Sequence, residues 1–324
     1  MTYFKKRMEM LNNNYERYFH LTLQELIDEY QDAHNNIEIE IMRWYNRMNE
    51  IKSTNPNFKF SELKQLEELT KQINLILDEL VRVESKVVGK NLNELYVSDY
   101  LNLAKLNDEY QMVNPLGGTL NQFKSASILE TYVNMTTLGK VSEIANQLEI
   151  SWWYSAIQGK WFNTRIEERA KKLGYSIESK LKQAIIRGDS YNKVAGKIMN
   201  DLDISFRNAK TLVATELRTA EISAKLDTAK RGGFTHMERR SLRDDHVCKI
   251  CQEMDGTIYP IDSVRGGDFI LHPNDRCYLV EVIVEDGEIV RSQFYDEAQE
   301  YIKSKKLDNS LKIKQLREQA KLKG

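Results

Sequence analysis

The stretches DHVCKICQEMDG (residues 245–256) and HPNDRC (residues 272–277) decide how the C-terminal part of this chain folds. The first stretch holds two cysteines separated by two residues, a spacing at which two thiolates on a tight turn grip one edge of a metal ion. The second stretch begins twenty residues after that pair and supplies a histidine and a third cysteine. Thiolate and imidazole ligands in a tetrahedron suit Zn²⁺. The pattern therefore predicts a zinc site formed by Cys248, Cys251, His272 and Cys277.

The predicted zinc is structural rather than catalytic, because four protein ligands close the coordination shell and leave no position for water. All three cysteines of the chain lie between residues 248 and 277, which does not suit a disulfide framework. Two alternatives stay open. His236 or His246, both nearby in sequence, is an alternative ligand or a hydrogen-bond partner of a ligand. The cysteines are also consistent with reduced thiols in a small β core.

Short β-strands are predicted around these stretches, at residues 234–242 and 256–294. The dipeptides Asp255-Gly256 and Asp286-Gly287 are hairpin signals. Apolar residues run through 278–284 and resume after the second dipeptide, as expected for a hairpin. These features predict a small zinc-binding α+β module.

Outward from this module the chain is predicted to be mainly α-helical. Only 4 Pro and 15 Gly interrupt 324 residues, and apolar residues recur at spacings of three and four. Residues 1–54 are expected to form two or three helices. Helix breaks are expected at Gly174 and between residues 201 and 205, with Ser205 as the N-cap of a helix that ends near 231.

Four domains are predicted from these changes in pattern. They are a long helical arm at 1–115, a helical domain at 116–233, a β-rich zinc-binding module at 234–295, and a basic C-terminal helix or tail at 296–324.

Bulk composition excludes several classes of protein. The net charge of −1 argues against a basic field over the whole chain for nucleic-acid binding. No apolar stretch long enough for a membrane span or a signal peptide is visible, so no membrane anchor is expected. The tail from Lys303 onward is rich in lysine and is interpreted either as a contact to DNA phosphates or as a solvated helix face.

Two further features have a structural and a functional interpretation. Trp152, Trp153 and Trp161 lie within ten residues, which favours a core anchor or interface patch over a dedicated docking surface for a partner. Glu216 is interpreted as half of an ion pair on a helix rather than as a catalytic carboxylate, because no second carboxylate at a defined spacing joins it.

Three stretches within roughly 150–285 together resemble a known family. They are Trp161-Phe162 with Gly188-x-Ser190-x-x-Lys193; Ala214-Thr215-Glu216 with Ala220 and Ala224; and Asp245-x-x-Cys248-x-x-Cys251-x-x-x-Asp255-Gly256 closing with His272-Pro273-Asn274-x-Arg276-Cys277. The family is that of phage head morphogenesis proteins, the minor capsid proteins similar to phage Mu protein F. Its closing motif commonly has a cysteine where Asp275 stands, which leaves Cys277 and Asp275 as alternatives for the fourth ligand. Ala214 stands where the family usually has arginine.

The resemblance implies a minor capsid protein of a tailed phage. Such a protein binds the portal protein inside the head, meets other capsid or scaffolding proteins, and assists head assembly and DNA packaging or delivery. The implied location is the virion interior near the portal, and the host cytoplasm during assembly. No catalytic reaction is implied, so the chain is not expected to be an enzyme.

Two other functions remain as alternatives. A ββα-metal-type nuclease would use Asp244-Asp245-His246 and His272, but its chemistry needs a general-base histidine beside a metal with open positions. A DNA-binding adaptor would use the basic tail, and its affinity would fall steeply as salt rises.

Overall fold

A computed structural model gives the structure of the chain. It describes residues 3–55, 63–113, 161–187, 189–231, 234–241, 247–273, 275, 277–290, 296–301 and 303–304. The described residues are mainly helical, with a small sheet towards the C-terminus, as the sequence predicts. No helix within these ranges combines the length and the hydropathy that crossing a membrane requires.

The helices and strands follow one another in the order that the sequence pattern indicates. The helices are α1 (Tyr3–Thr54), α2 (Leu63–Val113), α3 (Phe162–Arg187), α4 (Tyr191–Arg231) and the short α5 (Lys249–Glu253). The strands are β1 (His236–Arg240), β2 (Ile258–Pro260), β3 (Tyr278–Glu285) and β4 (Glu288–Val290). Residues 296–301 and 303–304 are again helical.

The four strands form one antiparallel sheet in the order β2-β1-β3-β4. Asp286 and Gly287 have φ of 51° and 82° and join β3 to β4, which confirms the predicted hairpin there. The other signal, Asp255-Gly256, also forms a turn, with Gly256 at φ 82°. That turn joins α5 to β2 rather than strand to strand. We call residues 234–290, as far as they are described, the Cys/His module.

Three predicted helix breaks are wrong. Residues 3–54 form one helix of 52 residues rather than two or three, because no Gly or Pro interrupts them. Gly174 lies inside α3, where a Cβ atom would lie 3.2 Å from Asn74 Oδ1 on α2. The absence of a side chain at this position therefore allows α2 and α3 to pack closely. Ser205 is buried inside α4 rather than capping it, beside the buried Leu202.

The chain divides into two compact units, each made of separate stretches. The first contains Met1–Tyr18, Leu92–Gln158 and Thr215–Gly324, and the second contains Phe19–Asn91 and Gly159–Ala214. The domain boundaries predicted at residues 115, 233 and 295 stay a prediction.

The second unit is a four-helix bundle with an apolar core. All four long helices contribute to one cluster: Ile37, Ile41, Trp44, Met48, Leu66, Leu69, Ile73, Leu77, Leu173, Ile177, Leu181, Ala184, Val194, Ile198 and Leu202. A buried hydrogen-bond network lies within the bundle, where Tyr30 and Arg169 both donate hydrogen bonds to Glu84. Burial of the apolar faces of the four helices against one another thus explains how this unit is held together.

The first unit contains the sheet and two smaller apolar clusters. The C-terminal half of α4 packs on the Cys/His module through Ile222, Leu226 and Ala229. The start of α1 packs on the other side of the same sheet through Phe4, Met8 and Leu11. Charged side chains are also buried here. Arg7 pairs with Glu281 of β3, and Lys225 of α4 donates a hydrogen bond to the Leu279 carbonyl. The Cys/His module therefore rests on a helix that is polar and almost fully buried between residues 212 and 229.

Candidate metal site

The first pair of cysteines lies on a tight turn that opens α5. Cys248 has extended backbone angles of φ −69° and ψ 159° and caps the helix, and the Cys251 amide donates to its Sγ at 3.3 Å. The Gln252 amide donates to the Cys248 carbonyl at 3.1 Å. This turn places both thiols on the same side of the backbone, as a two-residue spacing between ligands requires.

The second pair returns on the loop before β3. This loop follows a short 3₁₀ turn at Gly266–Phe269 that lies directly against α4. A Cβ atom on Gly266 would stand 2.1 Å from Ser223 Oγ and 2.8 Å from the Thr219 carbonyl oxygen. Only glycine allows this approach, and His272, Asp275 and Cys277, which follow the 3₁₀ turn, lie beside Cys251.

The structure brings the predicted ligands together in two overlapping groups. Cys248, Cys251 and His272 have ligand atoms that all lie within 4.8 Å of one another, and so do Cys251, Asp275 and Cys277. Cys251 is common to both groups and is buried, whereas Cys248, His272 and Cys277 are half-buried. These residues are able to hold a metal ion.

The imidazole of His272 is oriented for a ligand role. Its Nε2 lies 3.2 Å from Cys251 Sγ, and its Nδ1 lies 2.8 Å from the carbonyl oxygen of Pro273. A carbonyl oxygen only accepts hydrogen bonds, so Nδ1 carries the proton in the neutral ring. The lone pair of Nε2 then faces the thiols, which is the tautomer that a metal ligand needs.

The three thiols differ in their electrostatic surroundings. The Cys251 amide lowers the pKa of Cys248, and His272 lowers it further. Burial raises the pKa of Cys251 and, most strongly, that of Cys277, where the Asp275 carboxylate adds to the effect. Buried thiols of this kind ionise readily when a cation is bound beside them.

The donor types and one ligand-to-ligand distance agree with a zinc site. Zn–S bonds of about 2.3 Å and Zn–N bonds of about 2.0 Å place neighbouring ligand atoms about 3.5 Å apart in a tetrahedron. The separation between Cys251 Sγ and His272 Nε2, 3.2 Å, is close to that edge. Three thiols and one correctly oriented imidazole are also the donor types that a structural zinc site uses.

Asp275 lies at the centre of the returning loop and is engaged through both carboxylate oxygens. Its Oδ1 accepts from the Cys277 amide at 2.9 Å, and its Oδ2 accepts from Arg239 at 2.6 Å and from the Leu271 amide at 3.2 Å. Burial raises the pKa of the carboxyl, but the Cys277 amide and Arg239 outweigh it and hold the pKa below its usual value.

Sequence reasoning missed Arg239, which reaches the site from the middle of the sheet. It is 1 % exposed, and its guanidinium lies 3.6 Å from Cys251 Sγ. The β1 segment carries two adjacent arginines in the run HMERR. Only the three-dimensional register, with Arg239 opposite Leu279 on β3, shows which one faces the cysteines.

The remaining predicted residues lie apart from the cluster or outside the described residues. His236 begins β1, and its Nδ1 lies 2.8 Å from Thr235 Oγ1. Glu216 is buried in α4, and its neighbour Arg218 pairs with Glu221. Trp161 is 41 % exposed. Trp152, Trp153, the Asp244-Asp245-His246 triplet and the basic tail from residue 305 lie outside the described residues.

Comparison with known families gives one finding. Residues 175–279 match the family described as phage Mu protein F like protein. The matched segment contains the second half of α3, all of α4, the strands β1 and β2, and all four predicted zinc ligands. Neither the curated proteins nor the solved structures gave a match. The predicted resemblance is confirmed over this segment.

Proposed function

We propose, from the match of residues 175–279 to phage Mu protein F like protein, that this chain is a phage head morphogenesis protein and a minor capsid protein of a tailed phage. In this role it binds the portal protein inside the head and assists head assembly and DNA packaging or delivery. Its location is the virion interior, after assembly in the host cytoplasm. The proposal assigns no catalytic reaction to the chain.

The observation that carries this proposal is that the family match covers the Cys/His module up to the start of β3, together with the helix on which the module packs. α4 residues Ile222, Leu226 and Ala229 share one apolar cluster with Met237 and Leu279 of the sheet. The matched segment is thus a packed structural element rather than an isolated motif.

Association with the portal protein is the direct test. The affinity-tagged full-length chain is co-expressed with the portal protein encoded by the same phage, and the complex is isolated on the tag. The portal protein expressed with the untagged chain is the control. We expect co-purification, and we expect the chain in purified virions at a few copies. A chain that neither retains the portal protein nor occurs in virions would contradict the proposal.

We also propose that the Cys/His cluster holds one structural Zn²⁺ through Cys248, Cys251, His272 and Cys277. Zinc would supply the cross-link between α5 and the loop before β3, two segments with little apolar surface of their own. Cys277 is preferred over Asp275 as the fourth ligand, because both oxygens of Asp275 already accept hydrogen bonds.

Native mass spectrometry of the full-length chain tests this metal site. We expect about one zinc per chain in the wild type, and loss of zinc in Cys248→Ser and Cys277→Ser. His236→Ala is the matched control, since His236 lies on β1 outside both ligand groups, and it should retain the metal. Full zinc content in Cys277→Ser would remove Cys277 from the ligand set.

A further inference from the structure

A buried ion pair lies directly behind the Cys/His cluster. Arg239 and Asp275 are 2.6 Å apart, and their side chains are only 2 % and 3 % exposed. Burial removes water from both charged groups, which is unfavourable unless further hydrogen bonds replace that water. Both Arg239 and Asp275 make such further hydrogen bonds.

Asp275 ties together the two sides of the returning loop. Its carboxylate accepts from the Leu271 amide, which precedes His272, and from the Cys277 amide. The amide of Asp275 itself donates to the His272 carbonyl at 3.2 Å. These hydrogen bonds fix the backbone on both sides of the imidazole and at Cys277.

Arg239 connects the same loop to the sheet and to the first cysteine pair. It donates to the Phe269 carbonyl, to Asp275, and to Cys251 Sγ at 3.6 Å. A site with three thiolates, one neutral imidazole and Zn²⁺ carries a net charge of −1. With Asp275 beside it the charge would be −2 in a buried place, and the guanidinium reduces it to −1.

We propose that Arg239 and Asp275 are positioning residues of the metal site. Asp275 orders the backbone at Leu271, His272 and Cys277 so that His272 and Cys277 meet Cys251. Arg239 offsets the negative charge of the thiolates and anchors the loop to β1. This inference rests on the proposed zinc site. Partners of this kind behind metal ligands typically change metal affinity by about 10–100-fold when they are removed.

Cobalt titration of the metal-free full-length chain tests the inference. Co²⁺ bound by thiolates gives charge-transfer and visible absorption that reports the ligand set, and competition with a chelator gives the affinity. We expect Arg239→Met and Asp275→Asn to bind Co²⁺ about 10–100-fold more weakly, with the visible spectrum of tetrahedral thiolate coordination retained. Arg239→Lys, which keeps the charge, should recover part of the affinity.

Arg240→Met is the matched control. Arg240 is the next residue on β1 and pairs with Glu238 at 3.0 Å rather than with Asp275. It should bind Co²⁺ as the wild type does. Helical circular dichroism confirms that each variant is folded. If Arg239→Met does not fold, Asp275→Asn carries the test with the weakening given above, and Arg239→Lys should bind Co²⁺ with an affinity between those of Asp275→Asn and the wild type.

Each contrary outcome has a separate meaning. Wild-type affinity in both Arg239→Met and Asp275→Asn would overturn the positioning role and leave the zinc site standing. A changed visible spectrum in Asp275→Asn, with that of Cys277→Ser unchanged, would make Asp275 a ligand and overturn its positioning role. A wild-type chain that binds neither Zn²⁺ nor Co²⁺ would overturn the zinc site and this inference together.

Discussion

The helix bundle of the second unit and the Cys/His module of the first unit bury very different chemistry. The bundle core contains fifteen buried apolar side chains from four helices. The apolar cluster of the Cys/His module contains eight, of which three belong to α4. The module also buries Arg239, Asp275, Glu238 and Glu281. Apolar burial is thus sufficient to explain the bundle, whereas the module combines a smaller apolar cluster with buried polar networks, and the proposed Zn²⁺ would add a cross-link.

The largest expected effect concerns metal removal, which should separate the two regions. Structural zinc contributes about 10–16 kcal/mol of apparent binding free energy in small zinc-folded peptides. We therefore expect a strong chelator to abolish amide hydrogen-exchange protection in β1 and β3, while protection in α3 stays unchanged. Cys251→Ser should give the same pattern without a chelator. Equal protection of β1 and β3 with and without metal would show that the module holds itself together.

Truncation of a buried side chain should leave a cavity in the bundle core and lower the stability of the bundle. Ile73 is 1 % exposed in the core, and Leu75, two residues along α2, is 54 % exposed. We expect Ile73→Ala to lower the free energy of unfolding by about 2–5 kcal/mol, and Leu75→Ala to change it by less than about 0.5 kcal/mol. Urea unfolding followed by circular dichroism measures both. Similar losses in the two variants would mean that the outer face of α2 is also covered.

These comparisons also show how far the sequence could predict the molecule. The Cys-x-x-Cys and His-x4-Cys spacings are local, so the candidate ligands could be listed without a structure. Helix breaks were wrongly expected at Gly174 and between residues 201 and 205, because a local rule cannot see that a neighbouring helix packs on these positions. Arg239 could not be found, since its role depends on strand register and on the fold of a loop thirty residues away.

Replacing either of two glycines by alanine should change the stability of the chain, in opposite directions at the two positions. Gly266 in the Cys/His module touches α4 so closely that a Cβ atom would meet Ser223 Oγ at 2.1 Å, whereas a Cβ atom on Gly196 in the exposed face of α4 would meet nothing within 4 Å. We expect Gly266→Ala to destabilise by about 1–3 kcal/mol through overpacking. Gly196→Ala should stabilise by about 1 kcal/mol, because alanine favours the helix. Thermal unfolding of the two variants measures both effects, and a neutral Gly266→Ala would refute the close approach.

The smallest expected effect is a pH dependence that has opposite signs in the two units. Asp99 in the first unit is fully buried and accepts from Asn14 at 2.8 Å. Burial raises its pKa well above the usual value, and nearby Glu221 adds to this. The folded chain therefore keeps a proton that the unfolded chain loses, and this group's contribution to stability falls as pH rises above about 4.

Asp189 in the second unit behaves in the opposite way. Lys193 donates to its Oδ1 at 2.5 Å, and this hydrogen bond, with that from Lys197, lowers its pKa. Its stabilising contribution is present above about pH 4 and is lost as pH falls. At pH 7 we expect Asp99→Asn to stabilise by about 1 kcal/mol and Asp189→Asn to destabilise.

The Asp99→Asn difference from the wild type should shrink as pH falls from 7 towards about 4, the ordinary pKa of aspartate. The Asp189→Asn difference should stay constant over that range and shrink only below about pH 4. Urea midpoints at pH 7, at about pH 4 and at about pH 3 measure both differences. Asn at position 99 retains the carbonyl oxygen to which Asn14 donates, so the variant tests the buried charge rather than the hydrogen bond. An Asp99→Asn variant that is less stable than the wild type at pH 7 would contradict this prediction. It would show that the polar groups around Asp99 stabilise its charged carboxylate, as Lys193 and Lys197 stabilise that of Asp189.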